Sequence, residues 1–190
     1  MSFSVELLDI KDVALLRPKK FFDTRGYFLE IYSTRDYAAA GVECVFVQEN
    51  QSLSIKSGTI RGLHFQRPPA AQAKLVRVIR GSIFDVAVDL RIGSRTFGRW
   101  CATKLTAETA EQLFIPRGFA HGFCTLEPDT EVAYKVDSLY SPVCDGGLRC
   151  DDPILNIAWP VSPAAAIISE KDRLLPLFKD FESPFKFSNS

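Results

Sequence analysis

Apolar and polar residues alternate along most of this chain with a period of two, the signature of half-buried strands. The clearest run is 82–90. Phe84, Val86, Val88 and Leu90 share one face, and Ile83, Asp85, Ala87 and Asp89 share the other. The preceding run, 75–79, joins it through the Arg80-Gly81 turn, and further strands are predicted over 27–32, 45–47, 58–66, 99–105, 112–115, 122–126 and 131–136. Turn residues punctuate the chain at short intervals, among them Arg25-Gly26, Ser57-Gly58, Gly93-Ser94, Pro128-Asp129 and Asp145-Gly146-Gly147. Many short strands at that spacing predict an all-β sandwich or barrel rather than alternating βα units. Helical signals are few. Residues 34–40, closed by Gly41, make two turns, and the Ser169-to-Asp172 capping-box spacing opens a short helix running to 175. No repeat or linker interrupts the pattern, so 1–190 reads as a single domain with a brief polar tail after 184.

Composition narrows the partners. Lys plus Arg and Asp plus Glu are 23 each, for zero formal net charge, which argues against a nucleic-acid or anionic-membrane binder. A few arginines gripping one small anion remain compatible with that balance. No run approaches the roughly 18 apolar residues of a membrane span, and the charged N-terminal stretch (Glu6, Asp9, Lys11, Asp12) predicts no leader. Five scattered cysteines without a Cys-x-x-Cys pair read as thiols of a reducing cytoplasm.

The chain has only two histidines, and both sit in marked surroundings. His64 lies in GTIRGLHFQ (58–66), which resembles the first motif of cupin barrels, and His121 lies in IPRGFAHGF (115–123), which resembles the second. Metal-binding cupins usually add a second histidine two residues on and then a glutamate; here those places offer Gln66 and the stretch Ala70-Ala71-Gln72. Two histidines without suitably placed carboxylates fall short of the three or four ligands of a metal site, so no metal is expected. Acid–base chemistry is the competing role, since imidazole switches protonation near neutral pH and a tyrosine can donate from the opposite side of a substrate. Tyr134 and Tyr140 share one strand parity. Arg61 and His64 do not, so a common site for them requires an irregularity at Gly62.

Taken in order, FDTRGYFLE (22–30), FVQENQS (46–52), GTIRGLHFQ, QAKLV (72–76), DVAVDLR (85–91), IPRGFAHGF, Tyr134-Lys135, DDP (151–153) and Trp159-Pro160 resemble the dTDP-4-dehydrorhamnose 3,5-epimerase family over about 5–176. The resemblance implies a cupin-type double-stranded β-helix (jelly-roll) barrel with a few short helices. It implies an enzyme that inverts C3 and C5 of dTDP-4-keto-6-deoxy-D-glucose without a cofactor, in dTDP-L-rhamnose biosynthesis. His64 then matches the general base, Asp172 its carboxylate partner, Tyr134 the proton donor and Lys74 the residue near the C4 oxyanion. From the residues alone, Asp172 reads first as a capping-box residue and Lys74 as a solvated strand lysine. Arg25 and Arg61 match diphosphate contacts. Glu30, Gln48 and Asn50 lie nearby for the base or sugar, His121 matches a sugar contact and Lys171 a substrate contact, with Asp85 behind a histidine; Tyr140 joins the substrate-binding candidates by its parity with Tyr134. The family exchanges its N-terminal strands in a homodimer, which would carry Arg25 and Glu30 into the partner's pocket. Cys150, the 143–145 stretch and Glu49 depart from the usual family residues. The alternatives are an epimerase acting at C3 or C5 alone and a non-enzymatic or metal-binding cupin.

Overall fold

In a computed structural model describing residues 3–162 and 164–187, the chain forms two antiparallel sheets facing each other across one core. In chain order the strands are β1 (Phe3–Leu7), β2 (Ala14–Pro18), β3 (Phe21–Asp23), β4 (Gly26–Phe28), β5 (Gln48–Ser54), β6 (Ile60–Gln66) and β7 (Lys74–Arg80). They continue with β8 (Ser82–Asp89), β9 (Trp100–Thr106), β10 (Gln112–Ile115), β11 (Phe119–Thr125), β12 (Thr130–Val136) and β13 (Asp145–Gly147). The larger sheet runs β1-β2-β10-β7-β12-β5, the smaller β13-β6-β11-β8-β9, and β3 with β4 makes a separate hairpin. This arrangement is the expected cupin-type jelly roll. Among the described residues, helices are confined to α1 (Thr34–Ala39), α2 (Glu170–Arg173) and a 3-10 turn at Phe178–Asp180.

The alternation of β8 explains its central place. Ile83 and Ala87 point between the sheets, packing with Val76, Val78, Leu113, Phe123 and Val132. Val86 and Val88 point the other way, under a cover of Leu148, Leu155 and Phe185 from the C-terminal segment. Both faces of the smaller sheet are therefore buried. The Gly81 turn into β8 is tight: its φ is +80°, and a Cβ there would meet Thr130 Oγ1 at 2.4 Å.

Several predicted boundaries move. The strand expected over 45–47 forms instead as β5, where Gln48, Asn50 and Ser52 face inward and Glu49, Gln51 and Leu53 face out. With polar residues on both faces, β5 has no apolar period to read. The 27–32 strand shortens to β4, and β1, β2, β3 and β13 are additional. α2 is shorter than its expected span, but Ser169 caps it as the spacing predicts, its Oγ accepting from the Asp172 N–H at 3.1 Å.

Candidate active site

The site opens between the sheets, and its geometry begins with an irregular strand. β6 pairs with β11 so that His64 lies opposite His121 and Arg61 opposite Phe123, three steps on one strand against two on the other. The extra residue falls at Gly62, whose φ is +128° and whose peptide bond to Leu63 is cis. A Cβ on Gly62 would lie 2.5 Å from Gly122 Cα and 2.8 Å from the His121 carbonyl oxygen, so only glycine fits. This bulge resolves the parity conflict, and Arg61 and His64 line the same cleft.

The cleft has an inner lobe of about 510 Å³. One wall, from β6 and β11, carries Arg61, His64, His121 and Phe123. The facing wall, from β5, β7 and β12, carries Ser52, Lys74 and Tyr134. Ile167 and Ile168 close it, and the segment they begin carries Ser169, Lys171 and Asp172. An outer lobe of about 320 Å³ shares His64, Lys74, Tyr134 and Lys171 and adds Gln48, Asn50, Gln66, Gln72, Tyr140 and Asp145.

His64 Nε2 and Asp172 Oδ1 lie 2.7 Å apart, bringing together residues separated by 108 positions. Asp172 Oδ2 also accepts from the Gly62 N–H at 3.4 Å. Burial alone would raise the Asp172 carboxyl, but the hydrogen bonds from His64 and from the Gly62 and Ser169 groups prevail and hold it below its ordinary value. The capping and pairing readings of Asp172 are thus both realised: its backbone N–H is capped by Ser169, and its carboxylate turns to His64. With Nε2 engaged, Nδ1 is the ring nitrogen left to take a proton.

A second pair sits deeper. His121 Nε2 and Asp85 Oδ1 are 2.5 Å apart and both residues are buried; burial pushes the imidazole below its ordinary value against the opposing pull of Asp85. Asp85 Oδ2 has no hydrogen-bond partner among the described residues. Asp89, the other acid of that face, is engaged elsewhere by Arg91, Ser94 and Thr96. Lys74 is buried rather than solvated, its Nζ donating to the His64 carbonyl oxygen at 3.3 Å. Desolvation pulls its ammonium down to about 8, and the charges of Asp85 and Asp145 offset part of that fall. Burial raises the Tyr134 phenol above its usual value, which keeps it protonated at neutral pH.

Other expected residues sort by location. Arg61 reaches β5, donating from Nε to Ser54 Oγ at 3.1 Å and from a terminal nitrogen to the Leu53 carbonyl at 2.9 Å. Lys171 pairs with Asp145 at 2.7 Å across the outer lobe. Tyr140 reaches that lobe from a loop beyond the end of β12, not through the strand parity it shares with Tyr134. Arg25 and Glu30 line neither lobe. Arg25 sits on the β3–β4 hairpin, highly exposed and paired with Asp23. Asp145, Ser52, Ile167 and Ile168 were not picked out from the sequence. The parity of β5 puts Ser52 with Gln48 and Asn50, but the three-residue β13 gives Asp145 no periodic signal. Of the departures, Glu49 faces outward to Lys135, and Cys150 is buried in a small hollow behind Asp172. Among the described residues, no group of three or more His, Cys, Asp or Glu side chains could hold a metal ion.

Comparison with known proteins bears on what such a cleft does. The profile of the family described as dTDP-4-dehydrorhamnose 3,5-epimerase matches residues 7–180. The chain is 47% identical to a protein of that name from Sinorhizobium fredii over 180 residues, covering 95% of this chain and 92% of the relative. It is similar to a crystal structure of the Bacillus anthracis dTDP-4-dehydrorhamnose 3,5-epimerase with TDP and PPi bound, at 49% identity and a TM-score of 0.89, covering 92% of this chain and 99% of that one. A Legionella pneumophila epimerase in complex with dTDP-4-keto-L-rhamnose superposes with a TM-score of 0.92 at 36% identity, covering 98% and 99% of the two chains.

Proposed function

From the premise that this chain belongs to the dTDP-4-dehydrorhamnose 3,5-epimerase family, and so is an isomerase, we propose that its cleft inverts C3 and C5 of dTDP-4-keto-6-deoxy-D-glucose through an enolate. The observation that carries this reading is the His64–Asp172 pair on one wall with Tyr134 on the other and Lys74 beside them.

The chemistry follows from the ketone. The C4 carbonyl acidifies the hydrogens on C3 and C5, so a weak base suffices to remove one. His64 takes that proton, and the ionised Asp172 stabilises the imidazolium that forms. Charge moves to the C4 oxygen, where the Lys74 ammonium neutralises it in a water-poor setting. Tyr134 returns a proton to the opposite face of the carbon, inverting the centre. His64 and Tyr134 then recover their starting states by proton exchange with solvent, and the cycle repeats at the second carbon. Each inversion consumes no net proton, and the steps as written need no cofactor.

Binding divides between the lobes. His121, held by Asp85, contacts the sugar. Arg61 and Lys171 take the diphosphate, with Gln48, Asn50 and Tyr140 toward the nucleoside. In a homodimer, Arg25 of the partner subunit and Glu30 of the partner subunit complete the outer lobe. The aromatic hairpin supports this: Phe22 and Phe28 are more than 70% exposed in the single chain. The five unpaired thiols support a cytoplasmic location. Among the described residues no helix is long and apolar enough to cross a membrane.

Deuterium uptake from D₂O into the 4-keto sugar tests the proposal. Exchange at both C3 and C5, abolished by His64→Ala, is the expected result. Exchange at one carbon would assign a single-centre epimerase, and full turnover in His64→Ala would overturn the base assignment. Stoichiometric iron, manganese or zinc in the purified protein would favour the metal-binding alternative.

A further inference from the structure

Two glutamines beside the cleft, Gln66 and Gln72, are used by none of the acid–base chemistry above. Both are committed to the same short loop. Gln66, 3% exposed, donates from Nε2 to the Leu139 carbonyl at 3.1 Å, and its Oε1 accepts from the Ser141 N–H at 2.6 Å. A further bond from Nε2 to the Ala70 carbonyl, at 2.7 Å, fixes its amide plane. Gln72 donates from Nε2 to the Ser138 carbonyl at 2.7 Å. A third glutamine, Gln48 of β5, accepts the Tyr140 N–H at 3.0 Å.

Four consecutive residues, 138–141, thus have backbone groups bound by glutamine side chains. A loop between two strands ordinarily leaves such groups to water or to its own turns. The residue at the centre of this clamp is Tyr140, whose 55%-exposed side chain lines the outer lobe. Gln66 also lies two residues from His64 on β6, so the two share a strand face. The span between the base and the Tyr140 wall is therefore set by one strand and one amide.

We infer that Gln66, assisted by Gln72, is a positioning residue for nucleotide binding, holding the Tyr140 loop at a fixed reach from His64. Gln66 also borders the outer lobe, but its amide is spent on Ala70, Leu139 and Ser141, so it acts through Tyr140 and touches no reacting atom. The inference rests on the nucleotide-sugar reading of the outer lobe, and it predicts a binding defect rather than a chemical one.

The test combines variants with two readouts on the full chain. In Gln66→Leu, amide hydrogen exchange of the peptide covering 138–142 should quicken by about tenfold or more, the scale of losing paired hydrogen bonds, while peptides from β6 and β11 stay protected. The Kd for dTDP, by calorimetry, should rise about tenfold, with kcat on the 4-keto sugar held within about twofold. Tyr140→Ala should weaken dTDP binding by itself, and adding Gln66→Leu to it should then change Kd by less than about twofold. Gln72→Ala, which removes only one bond, gives a milder version of the same pattern should Gln66→Leu fold poorly. Independent, multiplying effects of the two substitutions on Kd would overturn the inference, as would unchanged exchange at 138–142 or a loss confined to kcat. If the wild type binds no dTDP, the nucleotide-sugar reading and this inference fall together. If it binds dTDP but exchanges no sugar hydrogens, only the epimerase reading falls.

Discussion

Replacing Lys74 with methionine is expected to stabilise the protein while inactivating it. The lysine lies at the head of β7, 8% exposed, and desolvation brings its ammonium from about 10.5 to about 8 even though Asp85 and Asp145 pull the other way. At about 1.4 kcal/mol per pH unit, that gap destabilises the folded state by about 3 kcal/mol at neutral pH. The sign is specific. Below about pH 8 the lysine is charged both folded and unfolded, and the full penalty applies. Between about 8 and 10.5 the folded protein has released the proton and the unfolded chain still holds it, so stability climbs with pH. Above that range the penalty is gone. Methionine matches the unbranched stem without the charge, so its advantage in urea unfolding should be about 1–3 kcal/mol at pH 7 and fade by about pH 10.5. Deuterium exchange into the 4-keto sugar should fall about 10²–10³-fold, the scale of losing one oxyanion donor. A methionine variant no more stable than wild type at pH 7, or a difference flat across pH, would refute the electrostatic argument.

Three further outcomes follow from the same cleft. Tyr134→Phe should retain part of the isotope exchange catalysed by His64 yet lose most inversion, which NMR of the recovered sugar distinguishes; equal loss of both would remove Tyr134 from the donor role. Asp145→Asn withdraws one of the charges that support the Lys74 ammonium, so the basic limb of kcat/KM should move below about pH 8, and an unmoved limb would show that Lys74 does not govern it. Gly62→Ala forces a side chain to within 2.5 Å of Gly122 Cα at a φ of +128° and should destabilise the protein by about 3 kcal/mol or more, read as a large fall in Tm; a wild-type Tm would contradict the packing described for β6.

What was legible in the sequence follows from what burial imposes. β8 was readable because water and core demand opposite residues at alternate positions, and its span agrees with expectation to within one residue. β5 escaped because its inward face lines a polar cleft, so the residues that mark it as functional also erase its apolar period. The parity of Arg61 and His64 called for an irregularity at Gly62, and the register shift supplies it. The contact between His64 and Asp172 lay beyond any local pattern, because a separation of 108 residues has no periodicity; family resemblance, not spacing, singled out that pair. Tyr140 was named for a parity that ends with β12. Lys74, readable from its surroundings as an ordinary solvated lysine, is buried because β7 runs through the middle of the larger sheet.

Asp172 arrives on a segment whose own folding is thin. α2 is a single turn, and its surroundings are tied to the barrel by three main-chain bonds (Ile167 with Gly58 and Ile60, and Pro176 with Arg149), by the Asp172 and Lys171 pairs and by the packing of Ile168 on the small Ile60–Cys124–Cys150 cluster. The barrel carries its core without them. Residues 167–176 are therefore expected to open as a unit below the free energy of global unfolding, which hydrogen exchange of that segment would read. Each such opening would take the carboxylate from His64 and leave a folded, silent barrel. Heat inactivation and melting are then expected as two separate events, with catalysis failing reversibly before the sheets part.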